Sequence, residues 1–195
     1  MDLLVTAALG ENQMGLQQRI LELLPEIDDI EDTVLRERVL ATWMAASRRG
    51  GWTEATLGDV PFSLSGTSGN INLVTHTRAL ARMCNSIAEN LEDIYGSQVD
   101  IDRQILTAAA LLHDVGKLQE YELSSKGEVV RSRTGNLLHH RILGAVLAAE
   151  VGAPEEIIHI IASHSGDGST VPRTIESTIV MHADAINLES FGATD

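Results

Sequence analysis

The sequence predicts an all-α domain with one small β-hairpin at about residues 121–131. Three observations lead there. Apolar residues recur at helical spacing in segments of roughly ten to twenty residues, divided by glycine, proline or acidic breaks. Hydrophobic residues make up 44% of the chain but aromatic ones only 3%, so Leu, Ile, Val, Ala and Met must fill the core. That palette suits packed helices better than sheets. At 195 residues the chain sits near the upper end of a single domain, so one sizeable core is expected.

The first element is a short helix from about Leu16 to Leu24, ended by Pro25. The acidic segment Glu26 to Asp32 leads into a second helix, about Thr33 to Arg48, whose apolar face is Val34, Leu35, Val39, Leu40 and Trp43. Gly50-Gly51 stops it. Trp52 to Gly69, with Gly58, Pro61, Gly66 and Gly69 among Ser and Thr, reads as an irregular connection. Helical spacing resumes from Leu73 to Tyr95 and breaks at Gly96. Asp100 or Asp102 caps the next helix, which ends near His113 and whose core side is almost pure Ala and Leu.

Lys117 to Gly135 is polar and holds the hairpin, Tyr121 to Leu123 against Val129 to Arg131 with Lys126-Gly127 at the turn. A helix from about Leu138 to Glu150 follows, then a break at Gly152 to Pro154, a helix from Glu155 to Ser163, and a glycine-rich turn at Gly166 and Gly168. Pro172 precedes a last helix, about Thr174 to Asn187. Residues 1–69 are expected to be a helical extension with its connecting loop, packed on a core of residues 70–195.

Acidic residues outnumber basic ones 28 to 14, a formal charge of −14. Such an exterior repels phosphate-rich polymers and anionic membranes, so no extended nucleic-acid surface is expected, although a locally positive pocket is compatible with it. Cys84 is the one cysteine, which excludes an intrachain disulfide and a thiolate zinc cluster. No apolar run approaches the roughly 18 residues that span a bilayer, and the start lacks the basic-then-apolar order of a signal peptide. A cytoplasmic protein is expected. Oligomeric state is not encoded in any pattern along the chain.

The chemistry centres on histidines and acids near helix ends. Seven histidines occur, at 76, 113, 139, 140, 159, 164 and 182. His113-Asp114 closes the apolar run Ala108 to Leu112 and is followed by Val115-Gly116-Lys117, so an imidazole and a carboxylate emerge together from a buried helix end. Neighbours on a helix point about 100° apart, so both reach one ion only beside the last turn, with further ligands from other helices. His76, His140, His164 and Asp184 are placed to supply them. An imidazole and carboxylate set without thiolates suits one or two ions of Mn²⁺, Fe²⁺, Co²⁺, Ni²⁺ or Zn²⁺. His159, among Ile157, Ile158, Ile160 and Ile161, and His182, two residues before Asp184, are expected to be structural.

The string Leu111-Leu112-His113-Asp114-Val115-Gly116-Lys117, with His76 upstream and Asp184 downstream, resembles the signature of HD-domain phosphohydrolases over roughly Asn72 to Leu188. The resemblance implies an HD helical bundle in which His76, His113, Asp114 and Asp184 bind one divalent ion. Asn136-Leu137-Leu138-His139-His140 and Ser163-His164-Ser165-Gly166 resemble the segments that complete the dinuclear branch. They imply that His140 and His164 join the centre and that Asp114 bridges two ions. His139 competes with His140, and the family motif favours the second residue of the pair, leaving His139 beside the centre or facing solvent.

The activity implied is hydrolysis of a small phosphomonoester or phosphodiester, of nucleotide or cyclic-phosphate type, by metal-activated water, with Asp114 and Lys117 in catalytic roles. Lys117 steadies the added negative charge, or else complements a helix C-terminus. Arg78, Arg82, Arg131, Arg133 and Arg141 flank ligand segments and are candidate phosphate contacts among what are mostly surface charges. The segment Arg48 to Trp52 through Asp59 to Phe62 is either a lid or an anchor built on Trp52 and Phe62. A related branch includes a pterin cyclic-phosphate phosphodiesterase. Three other readings belong to the same pattern. One is an HD exoribonuclease, opposed by the acidity and the little sequence before His76. The others are a dinuclear iron oxygenase and a non-catalytic nucleotide sensor.

Overall fold

A computed structural model describes residues 14–65, 71–165 and 172–191. The expected turn at Gly166 and Gly168, Gly66 and Gly69 of the connection, and the expected boundary after residue 69 lie outside those residues. Helix α1 spans residues 14–23 and runs into a tight turn at Pro25–Asp29. Helix α2, Thr33–Gly50, starts where the Asp32 carboxylate accepts the Val34 and Leu35 N–H groups. It ends at Gly51, whose φ of 74° lets its N–H turn back onto the last carbonyls.

Helix α3, Leu73–Tyr95, is capped by Asn72, and α4, Arg103–Leu112, by Asp102 rather than Asp100. One short turn of helix, α5, Lys117–Glu120, leads into strand β1, Tyr121–Leu123, which pairs antiparallel with β2, Val129–Arg131. Tyr121 faces Arg131 and Leu123 faces Val129, with Gly127 at φ 78° in the turn, which is the hairpin expected from the sequence. Helix α6, His140–Glu150, starts two residues later than the periodicity suggests. The cause is local: Leu137 and Leu138 donate to the Thr134 carbonyl in a turn of their own, and His139 is extended. Helices α7, Glu155–Ser163, and α8, Ile175–Ser190, complete the order.

Helix α4 is the centre. Leu106 and Ala108 through Leu112 are fully buried, and α2, α3, α7 and α8 all pack on it, which is why the second half of the helix carries Ala and Leu on every side. Among the described residues, apolar side chains of α1 and α2 join those of α3 to α8 in one buried cluster. Two indoles tie the N-terminal helices to the segment after α4. Trp43 Nε1 donates to the Leu111 carbonyl at 3.0 Å, and Trp52 Nε1 to the Leu118 carbonyl at 2.7 Å. Gly50 permits that approach, because a methyl there would lie 1.7 Å from the Leu118 oxygen. Among the described residues no helix is long and apolar enough to cross a membrane.

Candidate metal centre

Four helix ends and one helix middle converge beside the end of α4. His76 lies in the first turn of α3, His113 and Asp114 in the turn that follows α4, His140 at the first residue of α6, His164 just after α7, and Asp184 within α8. All six are buried, none more than 3% exposed. Gly116 makes the convergence possible, since a methyl there would stand 2.0 Å from the His140 carbonyl oxygen and hold α6 away.

Asp114 sits between two groups. Its Oδ2 lies 3.4 Å from His76 Nε2 and 3.3 Å from His113 Nε2, while its Oδ1 lies 3.1 Å from His140 Nε2 and 3.6 Å from His164 Nε2. Asp184 Oδ1 approaches His76 Nε2 at 3.2 Å and His113 Nε2 at 3.8 Å. Within each group, His76, His113, Asp114 and Asp184 on one side and Asp114, His140 and His164 on the other, the ligand-type atoms all lie within 4.8 Å of one another.

These short distances are not hydrogen bonds. Asp114 Oδ1, His140 Nε2, His164 Nε2 and Asp184 Oδ1 are buried without a hydrogen-bond partner. Asp114 Oδ2 also lacks one, although Lys117 Nζ stands 2.8 Å away in an ion pair. Buried polar atoms left so cost free energy unless something else satisfies them. The ring tautomers explain the geometry. His113 Nδ1 donates to the Ala110 carbonyl and His164 Nδ1 to the Ile161 carbonyl, each at 2.8 Å, and His140 Nδ1 donates to Glu120 at 3.0 Å. With the proton held at Nδ1, each ring turns a bare Nε2 lone pair inward. His113 Nε2 lies 3.0 Å from His76 Nε2, so those two rings share a proton or an ion. The bare lone pairs of His140 and His164, with the carboxylate oxygens, suit a divalent cation, so the residues present fit such an ion.

The protonation states of Asp114, Asp184 and His140 agree. Burial alone would raise the Asp114 carboxyl, but the Lys117 ammonium and the His113 and His140 rings hold it well below the usual carboxylate range. Burial likewise opposes ionisation of Asp184, and the His76, His113 and His164 rings together more than offset it. Burial pushes the His140 ring down to about 4, so it is neutral and ready to donate a lone pair. His76 is shifted the other way from His140: burial lowers it, and the Asp114 and Asp184 carboxylates raise it further than that.

The structure thus gathers all six expected residues, and of the other histidines His139 joins Glu120 and His140 in a third ligand-type group. His182 is exposed and His159 half-buried, and neither belongs to a ligand-type group among the described residues. The His139 ring lies 4.0 Å from that of His140 and receives the Arg141 Nε–H at 3.3 Å. Lys117, only 3% exposed, also donates to the Phe62 carbonyl at 3.0 Å and lies 4.7 Å above the Phe62 ring.

Two residues of the site carry no motif. Phe62 stacks on His76 at 3.9 Å, so the connection is an anchor that also walls the centre. Glu120 is 1% exposed and binds His140; its one sequence signal is a carboxylate three residues beyond Lys117, on the same side of a helical turn.

The arginines divide. Arg78 and Arg82 are turned away from the centre to Glu26, whose carboxylate they reach at 3.0 Å and 2.9 Å, so they are not available as phosphate contacts. Arg141 bonds the Ser165 carbonyl, and Arg133 lines a separate cleft with Arg49 and Thr134. Arg131 pairs with Glu120 at 2.9 Å and lines a cleft of about 140 Å³ shared with Ser63, Lys117, His139 and His140. A larger apolar cleft of about 370 Å³ at Ile87, Leu91, Ile94 and Tyr95 holds none of the six candidate ligands, whereas His140 lines the smaller one.

The chain matches the HD domain family over residues 73–188. It is 31% identical over 176 residues to a dihydroneopterin 2',3'-cyclic phosphate phosphodiesterase of Methanocaldococcus jannaschii, covering 86% of this chain and 67% of that one. It is 32% identical over 98 residues to ribonuclease Y of Acidothermus cellulolyticus, covering 50% of this chain and 17% of that protein. With ribonuclease Y of Desulforudis audaxviator the figures are 30% over 127 residues, 65% and 20%. The chain therefore spans only a small part of the ribonucleases it resembles. No solved structure gives a significant match. A family match across more than half the sequence, coinciding with a buried His and Asp cluster, places the protein: the chain belongs to the HD-domain family of metal-dependent phosphohydrolases.

Proposed function

We propose that the protein hydrolyses a small phosphate ester, with cyclic phosphodiesters as the leading class, at a divalent metal centre made by His76, His113, Asp114, His140, His164 and Asp184. The observation that carries this reading is the buried cluster of ring nitrogens and carboxylate oxygens on both sides of Asp114, several of them without a hydrogen-bond partner. In it His76, His113, Asp114 and Asp184 hold one ion, while Asp114, His140 and His164 hold a second. Mn²⁺, Fe²⁺, Co²⁺, Ni²⁺ and Zn²⁺ all suit such donors. When bound, such ions supply Lewis acidity that makes water nucleophilic near neutral pH and polarises a phosphoryl group.

The chain's own residues do the rest. Asp114 turns one oxygen to each position. Lys117, fixed by Asp114 and the Phe62 carbonyl, keeps a positive charge at the wall of the cleft, where charge accumulates on a phosphate in the transition state. The about 140 Å³ cleft and the net charge of −14 favour a small substrate over a polymer, and the archaeal relative's name points to a cyclic phosphate. The lone buried Cys84 suits a reducing compartment, and we place the protein in the cytoplasm on that ground.

The test is a screen of protein purified without nickel affinity, its metal measured first. The substrates are 2',3'-cyclic phosphates, linear diesters, monoesters and an RNA oligonucleotide, each with and without a chelator. We expect chelator-sensitive turnover of small esters; turnover of RNA alone, or none in fully metallated protein, would refute the reading. Lys117→Ala separates the two roles further. Metal should be retained while kcat/KM falls by about 10²-fold, and unchanged kcat/KM would remove Lys117 from catalysis.

A further inference from the structure

Three inward-facing imidazoles have their Nδ1 protons held, but not in the same way. His113 and His164 each follow a helix, so the carbonyl three residues back, Ala110 or Ile161, stands ready to accept the proton at 2.8 Å. His140 opens its helix. No helical turn precedes it, and its neighbour His139 supplies no side-chain cap. Two donors of His140, the backbone N–H and Nδ1–H, would therefore be buried without acceptors. Both go to a single atom, Glu120 Oε2, at 2.8 Å and 3.0 Å.

Glu120 is itself held for that purpose. It is 1% exposed, and its other oxygen pairs with Arg131 of the hairpin at 2.9 Å. The loop after the hairpin closes on it at Gly135, where a methyl would lie 2.2 Å from the Glu120 carbonyl oxygen. An anion at the start of α6 is also favoured by the exposed N–H groups and dipole of that helix.

We infer that Glu120 is the positioning residue of the His140 side of the centre: it caps α6 and locks the His140 proton on Nδ1, so that Nε2 is left bare toward Asp114. Arg131, paired with the other Glu120 oxygen, connects that side of the centre to the wall of the substrate cleft. The inference rests on reading Asp114, His140 and His164 as one of two metal positions.

Glu120→Met tests it. The thioether keeps much of the volume of the side chain but replaces the carboxylate acceptor, so the His140 backbone N–H and Nδ1–H both lose their bonds and the ring proton is no longer held on Nδ1. Full-length protein loaded with Mn²⁺ is titrated with a competing chelator. We expect two classes of site in the wild type, and in Glu120→Met the His140 class weakened by about 10- to 100-fold with the other within about 3-fold. His140→Ala should weaken the same class, whereas Arg131→Met, which leaves the acceptor in place, should not. Nitrogen-15 shifts of the His140 ring in metal-free protein give a second readout, the Nδ1–H form giving way to a mixture with the Nε2–H form in Glu120→Met.

Retention of both affinities in Glu120→Met while His140→Ala loses one class would overturn the inference and leave the metal reading standing. The same loss in Arg131→Met would also overturn it, by pointing to general disorder of the hairpin. A wild type with one class of site that is indifferent to His140→Ala would bring down both.

Discussion

Asp114→Asn should yield a folded protein with neither bound metal nor turnover. The amide nearly preserves the volume of the carboxylate, so helix content should stay close to that of the wild type. What goes is charge and donor symmetry. Oδ1 now faces His140 and His164 while Oδ2 faces His76 and His113, and an amide cannot present a lone pair to both sides. Lys117, paired at 2.8 Å with Oδ2, loses its counter-charge and adds repulsion toward any cation. Turnover should fall by roughly three orders of magnitude or more, the scale of losing several kcal/mol of transition-state stabilisation. Metal analysis, circular dichroism and a rate measurement on one preparation check it. Wild-type metal content in folded Asp114→Asn would end the assignment.

The largest effect on stability is expected from Trp43→Ala. The indole is fully buried between α2 and α4 and donates to the Leu111 carbonyl at 3.0 Å. Its removal opens a cavity, for which about 3–5 kcal/mol is typical, and leaves a buried carbonyl short of a donor, about 1–3 kcal/mol more. Against a total stability of roughly 5–15 kcal/mol, that is enough to unfold much of the population. Trp43→Phe separates the terms, since it fills most of the cavity and loses the hydrogen bond alone. Urea titrations of the three proteins read the difference. A cost below about 1 kcal/mol for the alanine, within the range of an ordinary surface change, would mean that α2 is not coupled to the metal-bearing segment.

The parts legible in the sequence are those that local patterns dictate. Helix breaks at Pro25, Gly51, Gly96 and Gly152, caps at Asp32 and Asp102, and the hairpin around Gly127 follow from turn and cap chemistry within a few residues. The six candidate ligands were reachable because His113-Asp114 stands at the end of an apolar helix and the others fall near helix ends or at family positions. The preference for His140 over His139 rests on the resemblance, and α6 starts at His140.

What was not legible depends on packing between distant segments. Glu26 captures Arg78 and Arg82 across about fifty residues of sequence, which no spacing rule announces and which withdraws both from the site. Phe62 reaches His76 only because the Pro61 to Asn72 bridge returns the connection to the start of α3. Glu120 looks like any acid on a short polar helix until α6 is laid against it.

The two indoles that grip Leu111 and Leu118 are the only tryptophans in the chain. Light absorbed at the red edge, beyond tyrosine, is therefore emitted from two points that bracket the His113 to Lys117 turn and from nowhere else. Intrinsic fluorescence of this protein is in effect a native optical probe of one loop, and a paramagnetic ion held there would register as quenching without any label being added.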